Sequence, residues 1–266
     1  MTSELPTTRR VLLADAEAMA IAAMRETLAR TYPDAAVDVA RSGAELFDRL
    51  QRKVYDVVVL DTILENVDPW KLLRVLEVAR ARRPIRLILL MDRLAPAWCG
   101  IGRATHAYEI LVKPLRRPVL EQTFAGCFAA LSPRSVLVAD ASPRARGLVK
   151  RILGESQFAL EVTEVESGRG VLRQLRRRAF DLALVDFGLE DMPALEVATR
   201  VVARGEATAG VLMMGTGREH CRGLSIFGIG GFLEKPFCPA ILDDRLHQML
   251  GLWRPYLLKG LQPAPR

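Results

Sequence analysis

Short apolar runs alternate with amphipathic stretches along the chain, a pattern that predicts parallel strands separated by helices. In the first half we expect strands at 10–15, 36–40, 55–61, 86–91 and 108–112. Several of these runs are continuously apolar, as is typical of strands that helices cover on both faces. Between them the apolar spacing predicts helices, one of which runs from about Pro69 to Arg82. The order is (βα)5, which right-handed crossovers fold into a doubly wound, five-stranded parallel sheet.

The second half of the chain repeats the first. Three landmarks carry the repeat, namely an aspartate after the first strand, an aspartate ending the third, and a Lys-Pro step after the fifth. They form the pairs Asp15 and Asp140, Asp61 and Asp186, and Lys113 and Lys235. The first two pairs are 125 residues apart and the third is 122 residues apart. We therefore predict two α/β domains of one fold, at residues 9–131 and 135–252, followed by a C-terminal tail at 253–266.

The landmarks predict a polar pocket in each domain, because functional groups of an open parallel sheet gather at the carboxyl ends of its strands. One charged residue at a strand end commonly caps a helix or turn. Three that converge, with closely matching spacing in the two copies, favour a functional or once-functional pocket. No GxGxxG or P-loop motif follows the first strand, and there is no GxSxG motif, so nucleotide binding and serine hydrolysis are not indicated.

The amino-acid composition bears on further classes of function, namely nucleic-acid binding, zinc binding and membrane insertion. The net charge of +7 and the pI near 9.6 raise the possibility of nucleic-acid binding. The basic runs, at Arg80–Pro84 and Arg173–Phe180, fall where helices end, a position that favours cations, so we expect solvated helix ends instead. The four cysteines, Cys99, Cys127, Cys221 and Cys238, form no CxxC pair and do not have the spacing of a zinc site. No apolar run is long enough to span a bilayer. We expect a cytoplasmic protein with reduced thiols.

Over nearly its whole length the chain resembles two tandem receiver domains of two-component response regulators. The resemblance lies in two apolar strands that each run into an aspartate, and in a Lys-Pro step 52 residues after Asp61 and 49 residues after Asp186. It implies a flavodoxin-like fold in both copies. It also implies that Asp61 and Asp186 accept a phosphoryl group and that Lys113 and Lys235 contact it.

The resemblance implies a Mg²⁺ site as well, held by the acceptor aspartate and by acids after the first strand. Asp15 and Asp140 match one of these acids, but Ala16 and Ala141 stand in place of the other. Loss of a carboxylate beside a divalent cation removes a strong attraction, which water replaces only in part. We therefore predict that Mg²⁺ binding is possible but weak in both copies.

Other departures distinguish the two copies. In the first, Met91 stands where receivers have a hydroxyl that meets the phosphoryl group, and Ile110 stands at the position of the switch aromatic. In the second, Phe232 keeps the switch aromatic. The hydroxyl position there is either Thr216, which would contact the phosphoryl group, or Gly215, which could not.

These features lead to the hypothesis of a non-enzymatic signalling protein, with two receiver-like domains, no output domain, and any phosphorylation restricted mainly to Asp186. Its partners would be a histidine kinase or phosphotransfer protein, other signalling proteins or a second copy. The contacts would use the surfaces of the fourth helix, fifth strand and fifth helix, around 95–128 and 218–250. An alternative is a phosphorelay intermediate or phosphate sink that is phosphorylated on both aspartates. A nucleic-acid-binding regulator is the third, least favoured reading.

Overall fold

The structure is a computed structural model that describes residues 8–94, 96–203, 210–217 and 223–259. Cys221, the first five residues of the predicted contact surface at 218–250, and the end of the predicted tail from 260 onwards lie outside this part. The chain forms two compact units. The first unit comprises Met1–Leu131 with Leu252–Arg266, and the second unit comprises Ser132–Gly251.

The first unit is a five-stranded parallel sheet in the order β2-β1-β3-β4-β5. Its strands are β1 (Arg10–Ala14), β2 (Ala36–Ala40), β3 (Val57–Asp61), β4 (Arg86–Met91) and β5 (Glu109–Val112). The helices that alternate with them are α1 (Ala18–Thr31), α2 (Gly43–Arg52), α3 (Pro69–Arg82), α4 (Pro96–Ala104) and α5 (Arg117–Leu131). Every residue of β3 and β4 is buried, which explains why both strands are apolar apart from Asp61 at the end of β3 and Arg86 at the start of β4.

The second unit has the same topology, in the order β7-β6-β8-β9-β10. Its strands are β6 (Arg134–Ala139), β7 (Leu160–Val165), β8 (Leu182–Asp186), β9 (Val211–Gly215) and β10 (Gly231–Glu234). Its helices are α6 (Pro143–Gly154), α7 (Gly168–Leu175), α8 (Ala194–Ala203) and α9 (Pro239–Met249), with a 3-10 helix at Leu224–Phe227. The predicted fold class, two flavodoxin-like halves with parallel five-stranded sheets, is confirmed.

The C-terminal residues that the sequence treated as a separate tail belong to the first unit. A last short helix, α10 (Tyr256–Lys259), lies against β5 and α4. In the described part of the chain, no helix has both the length and the apolar character needed to cross a bilayer.

The repeated Ser-Gly pairs mark the starts of α2 and α7. The Ser42 hydroxyl accepts a hydrogen bond from the backbone N–H of Glu45 at 3.3 Å, and the Ser167 hydroxyl accepts one from Gly170 at 3.1 Å. These contacts satisfy N–H groups that have no partner within the helix. The serines therefore fix where both helices begin.

The glycines of these pairs are needed for close packing, and to different degrees. A Cβ at Gly43 would overlap the backbone carbonyl of Asn66, whereas one at Gly168 would meet two side chains, those of Met192 and Val197. A backbone obstacle cannot move away by changing rotamer. We expect Gly43→Ala to lower the free energy of unfolding of the first unit by about 1–3 kcal/mol.

The matched Gly168→Ala variant should cost the second unit less, because both obstacles there are side chains, the flexible Met192 and the stiffer Val197, and not a backbone carbonyl. Urea unfolding monitored by circular dichroism checks both variants. An equal loss of unfolding free energy in the two would contradict this explanation.

Candidate functional site: two aspartate and lysine pockets

The sheet of the first unit brings three charged residues to one edge. Ala14 of β1 pairs with Leu60 of β3, so the next residues, Asp15 and Asp61, leave the sheet side by side. Lys113 directly follows β5. The carboxyl ends of parallel strands thus form the pocket that the sequence predicts.

In the first unit the Lys113 ammonium lies between carboxylates. Its Nζ is 2.8 Å from Asp61 Oδ2 and 3.0 Å from Asp15 Oδ2. The other oxygens accept backbone hydrogen bonds, Asp15 Oδ1 from Glu17 at 2.8 Å and Asp61 Oδ1 from Ile63 at 3.0 Å. Asp15 is fully buried and Asp61 nearly so, and the lysine therefore offsets two carboxylates that have little access to water.

The second unit repeats this arrangement. Lys235 Nζ is 2.5 Å from Asp140 Oδ2 and 2.5 Å from Asp186 Oδ2. The remaining oxygens accept backbone hydrogen bonds at 2.8 Å, Asp140 Oδ1 from Ser142 and Asp186 Oδ1 from Gly188. In both units each aspartate thus turns one oxygen to a backbone N–H two residues further on and the other to the lysine.

Burial and ion pairing act in opposite directions on the pocket of the first unit. Burial raises the pKa of Asp15 above its ordinary value, although the hydrogen bonds from Glu17 and Lys113 oppose this rise. For Lys113, burial favours a lower pKa, but its hydrogen bonds to Asp61, Asp15 and Glu17 outweigh burial and raise the pKa. The lysine is therefore firmly charged, and Asp15 depends on it.

Glu17 gives the first pocket a third carboxylate. Its Oε2 lies 3.1 Å from Lys113 Nζ, while the Glu17 side chain is 55% exposed. Residue 17 follows Asp15 by two positions, and the matching residue of the second unit is Ser142, whose hydroxyl accepts a hydrogen bond from Ala145. The position of Glu17, two residues after Asp15, puts it near the pocket, but the sequence carries no signal for the direction of its side chain. With Glu17, the formal charge of the first pocket is one unit more negative than that of the second.

Backbone pairing decides which residue of the second unit occupies the hydroxyl position. The N–H of Lys113 donates to the carbonyl of Met91 at 2.8 Å, and the N–H of Lys235 donates to the carbonyl of Gly215 at 2.8 Å. Gly215 therefore matches Met91, which favours the glycine alternative. Thr216 lies one residue beyond β9 and is exposed. Its contact with a phosphoryl group stays a prediction.

Phe187, for which the sequence holds no signal, lies beside Gly215, the residue at the position where receivers have a hydroxyl side chain. A Cβ at Gly215 would be 3.2 Å from the Phe187 ring and 3.6 Å from the ring of Phe232. The two rings lie 6.1 Å apart between centroids. Aromatic rings thus surround the position that a hydroxyl has in the receivers that the chain resembles, and neither unit offers a hydroxyl at the end of its fourth strand.

The carboxylate oxygens of both pockets are ligands of a kind that suits a divalent cation, but too few of them are in position to hold one. Carboxylate oxygens are hard ligands of the type that Mg²⁺ takes. Within the residues that the structure describes, no cluster of three or more His, Cys, Asp or Glu side chains is arranged to hold a metal. Asp140 and Asp186, or Asp15 and Asp61 with Glu17, would have to turn from their lysine toward a cation.

A comparison with protein families finds a match within the second unit. Residues 136–247 match the response regulator receiver domain. The match contains Asp140, Asp186 and Lys235. The first unit has the same topology and the same pocket, so the chain consists of two receiver-like halves.

Comparison with solved structures supports this fold for the whole chain. A putative two-component system response regulator/GGDEF domain protein is similar with a TM-score of 0.63 and 18% sequence identity, over 92% of this chain and 98% of the other. A probable two-component system response regulator/GGDEF domain protein gives a TM-score of 0.61 and 19% identity over the same shares. At these identities the likeness shows the receiver-like fold alone.

Proposed function

We propose that the chain is a two-component signalling protein that acts by protein–protein contact and accepts a phosphoryl group on Asp186 rather than on Asp61. One observation carries this proposal, the convergence of Asp140, Asp186 and Lys235 in the unit that matches the receiver family. A histidine kinase, or a phosphotransfer protein that carries its phosphate, is the partner that such a pocket implies.

The chemistry proposed for Asp186 is a phosphoryl transfer. One carboxylate oxygen of Asp186 attacks the phosphorus of a phosphohistidine or acyl phosphate, and the donor's bond to phosphorus breaks as its leaving group departs. Because an anion attacks an anion here, cations must offset the charge. Lys235 supplies one such charge beside Asp186 Oδ2. A bound Mg²⁺ would supply further positive charge at the phosphoryl oxygens, and Asp140 and Asp186 would hold it.

Two differences between the pockets favour Asp186 over Asp61. The side chain of Asp186 is 12% exposed and that of Asp61 is 5% exposed, so a donor reaches Asp186 more readily. Glu17 adds a negative charge beside Lys113, which repels a phosphoryl donor from the first pocket. The first unit is thus better suited to contact than to phosphorylation.

We also propose that Asp186 is phosphorylated inefficiently. Ala16 and Ala141 provide no second acid after the first strand of either unit. Met91 and Gly215 provide no hydroxyl at the end of the fourth strand. A phosphoryl group on Asp186 would therefore have fewer partners to stabilise a changed conformation, and signalling by contact would not depend on it.

The test is phosphorylation of four proteins with acetyl phosphate and Mg²⁺, followed by mass spectrometry of the intact chain. They are the wild type and the Asp61→Asn, Asp186→Asn and doubly substituted variants. We expect Asp186→Asn, which removes the proposed nucleophile, to lower incorporation about tenfold or more, and Asp61→Asn to change it less than about twofold.

Equal losses in the two single variants would favour the alternative, a phosphorelay intermediate or phosphate sink that uses both aspartates. Incorporation that persists in the double variant would show that neither pocket is the acceptor. Either result would overturn the restriction to Asp186.

A further inference from the structure

The C-terminal segment Leu252–Lys259, here called the strap, returns to the first unit after the second unit is complete. Its helix α10 lies against β5 and α4. These are elements of the surface through which the sequence analysis expected the first unit to meet other proteins. The contacts of the strap therefore determine whether that surface is accessible.

Glu109, the first residue of β5, is the polar centre of the contact. It is 1% exposed, and a carboxylate in such a place needs hydrogen-bond donors. The strap supplies two of them: Trp253 Nε1 donates to Glu109 Oε2 at 3.0 Å, and the backbone N–H of Tyr256 donates to Oε1 at 2.7 Å. The third donor is the backbone N–H of Ile110, at 2.9 Å from Oε1. Burial raises the pKa of Glu109 in this setting, against the effect of these hydrogen bonds.

An apolar contact accompanies the polar one. Leu257 packs against the core cluster of the first unit, which includes Ile110. Gly102 of α4 makes room for it, because a Cβ there would lie 3.2 Å from Leu257 Cδ1 and 3.1 Å from Ile110 Cδ1. The strap thus rests on Ile110, three residues before the pocket lysine.

The strap is nevertheless short, and it does not fill the space between itself and the first unit. It contains one helix of four residues, and a cavity of about 300 Å³ remains beside it, lined by Arg116, Val119, Trp253 and Tyr256 among others. If the strap left, Glu109 would become hydrated rather than remain buried without donors. Its removal therefore exposes a surface without creating an unpaired buried charge.

Among the residues that the structure describes, the second unit offers no carboxylate equivalent to Glu109. The residue matching Glu109 is Gly231, the first residue of β10, which offers no carboxylate to an indole N–H. Near the corresponding place, Ile226 is 84% exposed and Phe227 is 44% exposed. The chemistry of the strap thus selects the first unit.

We propose that the strap is an internal ligand of the first unit, which competes with other proteins for the surface of α4 and β5. While the strap is docked, other proteins cannot bind this surface of the first unit, and they bind the second unit instead. The inference does not depend on phosphorylation of either aspartate, since it rests on contacts outside both pockets.

The test uses a fluorescein-labelled peptide of sequence LGLWRPYLLK, residues 250–259, as the competing ligand of full-length protein. Leu257→Asp, which puts a charge in the apolar seat, should release the strap of the protein. We expect fluorescence anisotropy to show at least tenfold tighter peptide binding to this variant than to the wild type, because the tethered strap acts at an effective concentration in the millimolar range.

Two further variants separate competition from general damage. Adding Gly102→Leu to Leu257→Asp fills the seat and should abolish peptide binding. Trp253→Phe keeps an aromatic ring but removes the indole donor, and should strengthen peptide binding about three- to tenfold relative to wild type, the effect of one hydrogen bond. Far-ultraviolet circular dichroism confirms that each variant is folded.

Two outcomes would overturn the proposal. Equal peptide binding to wild type and to Leu257→Asp would show that the strap does not compete. Binding to Leu257→Asp that is undetectable at millimolar peptide would be equally decisive, since a segment of that affinity would not stay docked when tethered at a millimolar effective concentration.

Discussion

Replacement of Lys113 by methionine is expected to lower the free energy of unfolding of the first unit by about 3–5 kcal/mol at pH 7. The ammonium contacts Asp15, Asp61 and Glu17, and the first two are almost completely buried. Methionine has a similar volume, so the loss reflects uncompensated charge rather than a cavity. All three tryptophans belong to the first unit, so intrinsic fluorescence during urea unfolding reports on this unit alone.

The pH dependence of this loss distinguishes it from a packing defect. Burial raises the pKa of Asp15, and removal of Lys113 raises it further, so Asp15 of the native variant takes up a proton at a higher pH than in the unfolded chain, where an aspartate titrates near about 4. The loss of unfolding free energy should therefore be greater at neutral pH and shrink as the pH falls toward about 4. A packing defect would lower the unfolding free energy equally under both conditions.

A surface lysine provides the matched control. Lys53 Nζ lies 2.9 Å from Asp38 Oδ2, but the two side chains are 50% and 30% exposed. Lys53→Met should cost no more than about 1 kcal/mol, as is usual for exposed ion pairs. If Lys113→Met cost no more than Lys53→Met, the pocket would not depend on its lysine in the way that the geometry implies.

Restoring the missing acid in the second unit is expected to create a stronger cation site. Ala141 directly follows Asp140, where the receivers that the chain resembles have a second acid. Ala141→Asp should tighten Mg²⁺ binding at least tenfold, because a third carboxylate beside Asp140 and Asp186 adds attraction and a hard ligand. It should also accelerate phosphorylation of Asp186 by acetyl phosphate.

Calorimetric titration with Mg²⁺ measures this effect, since the second unit has no tryptophan. Leu148→Asp is the control: residue 148 lies on α6, the helix that begins two residues after Ala141, and is 45% exposed, so the same charge is added away from the pocket. This variant should change Mg²⁺ affinity less than twofold. Comparable affinities in the two variants would contradict the prediction that Mg²⁺ binding is weak because Ala141 stands in place of an acid.

The fold was accessible from the sequence because its signals are local. Continuous apolar runs predicted the strands of the first unit to within two residues, and the 125-residue repeat predicted a second copy of the same topology. The pocket followed from the fold, because the ends of parallel strands meet at one edge whatever the intervening loops contain. The sequence alone thus predicts that three charged residues of each unit lie together.

Features that depend on side-chain direction or on exact pairing were not accessible in this way. Glu17 lies in a loop, where periodicity says nothing about orientation, and only the folded chain shows that it reaches Lys113. The choice between Gly215 and Thr216 required the pairing of β9 with the start of the loop after β10. Phe187 became relevant only once Gly215 was assigned.

By itself, the sequence determined the two-domain repeat, the class of fold and the three charged residues that the two pockets have in common, since period and spacing are properties of short segments. Only the tertiary structure showed that the C-terminal strap belongs to the first unit. Its hydrogen bond from Trp253 to Glu109 joins residues 144 positions apart. Such a contact leaves no periodic signal, because it depends on how a buried carboxylate and an indole meet after both units have folded.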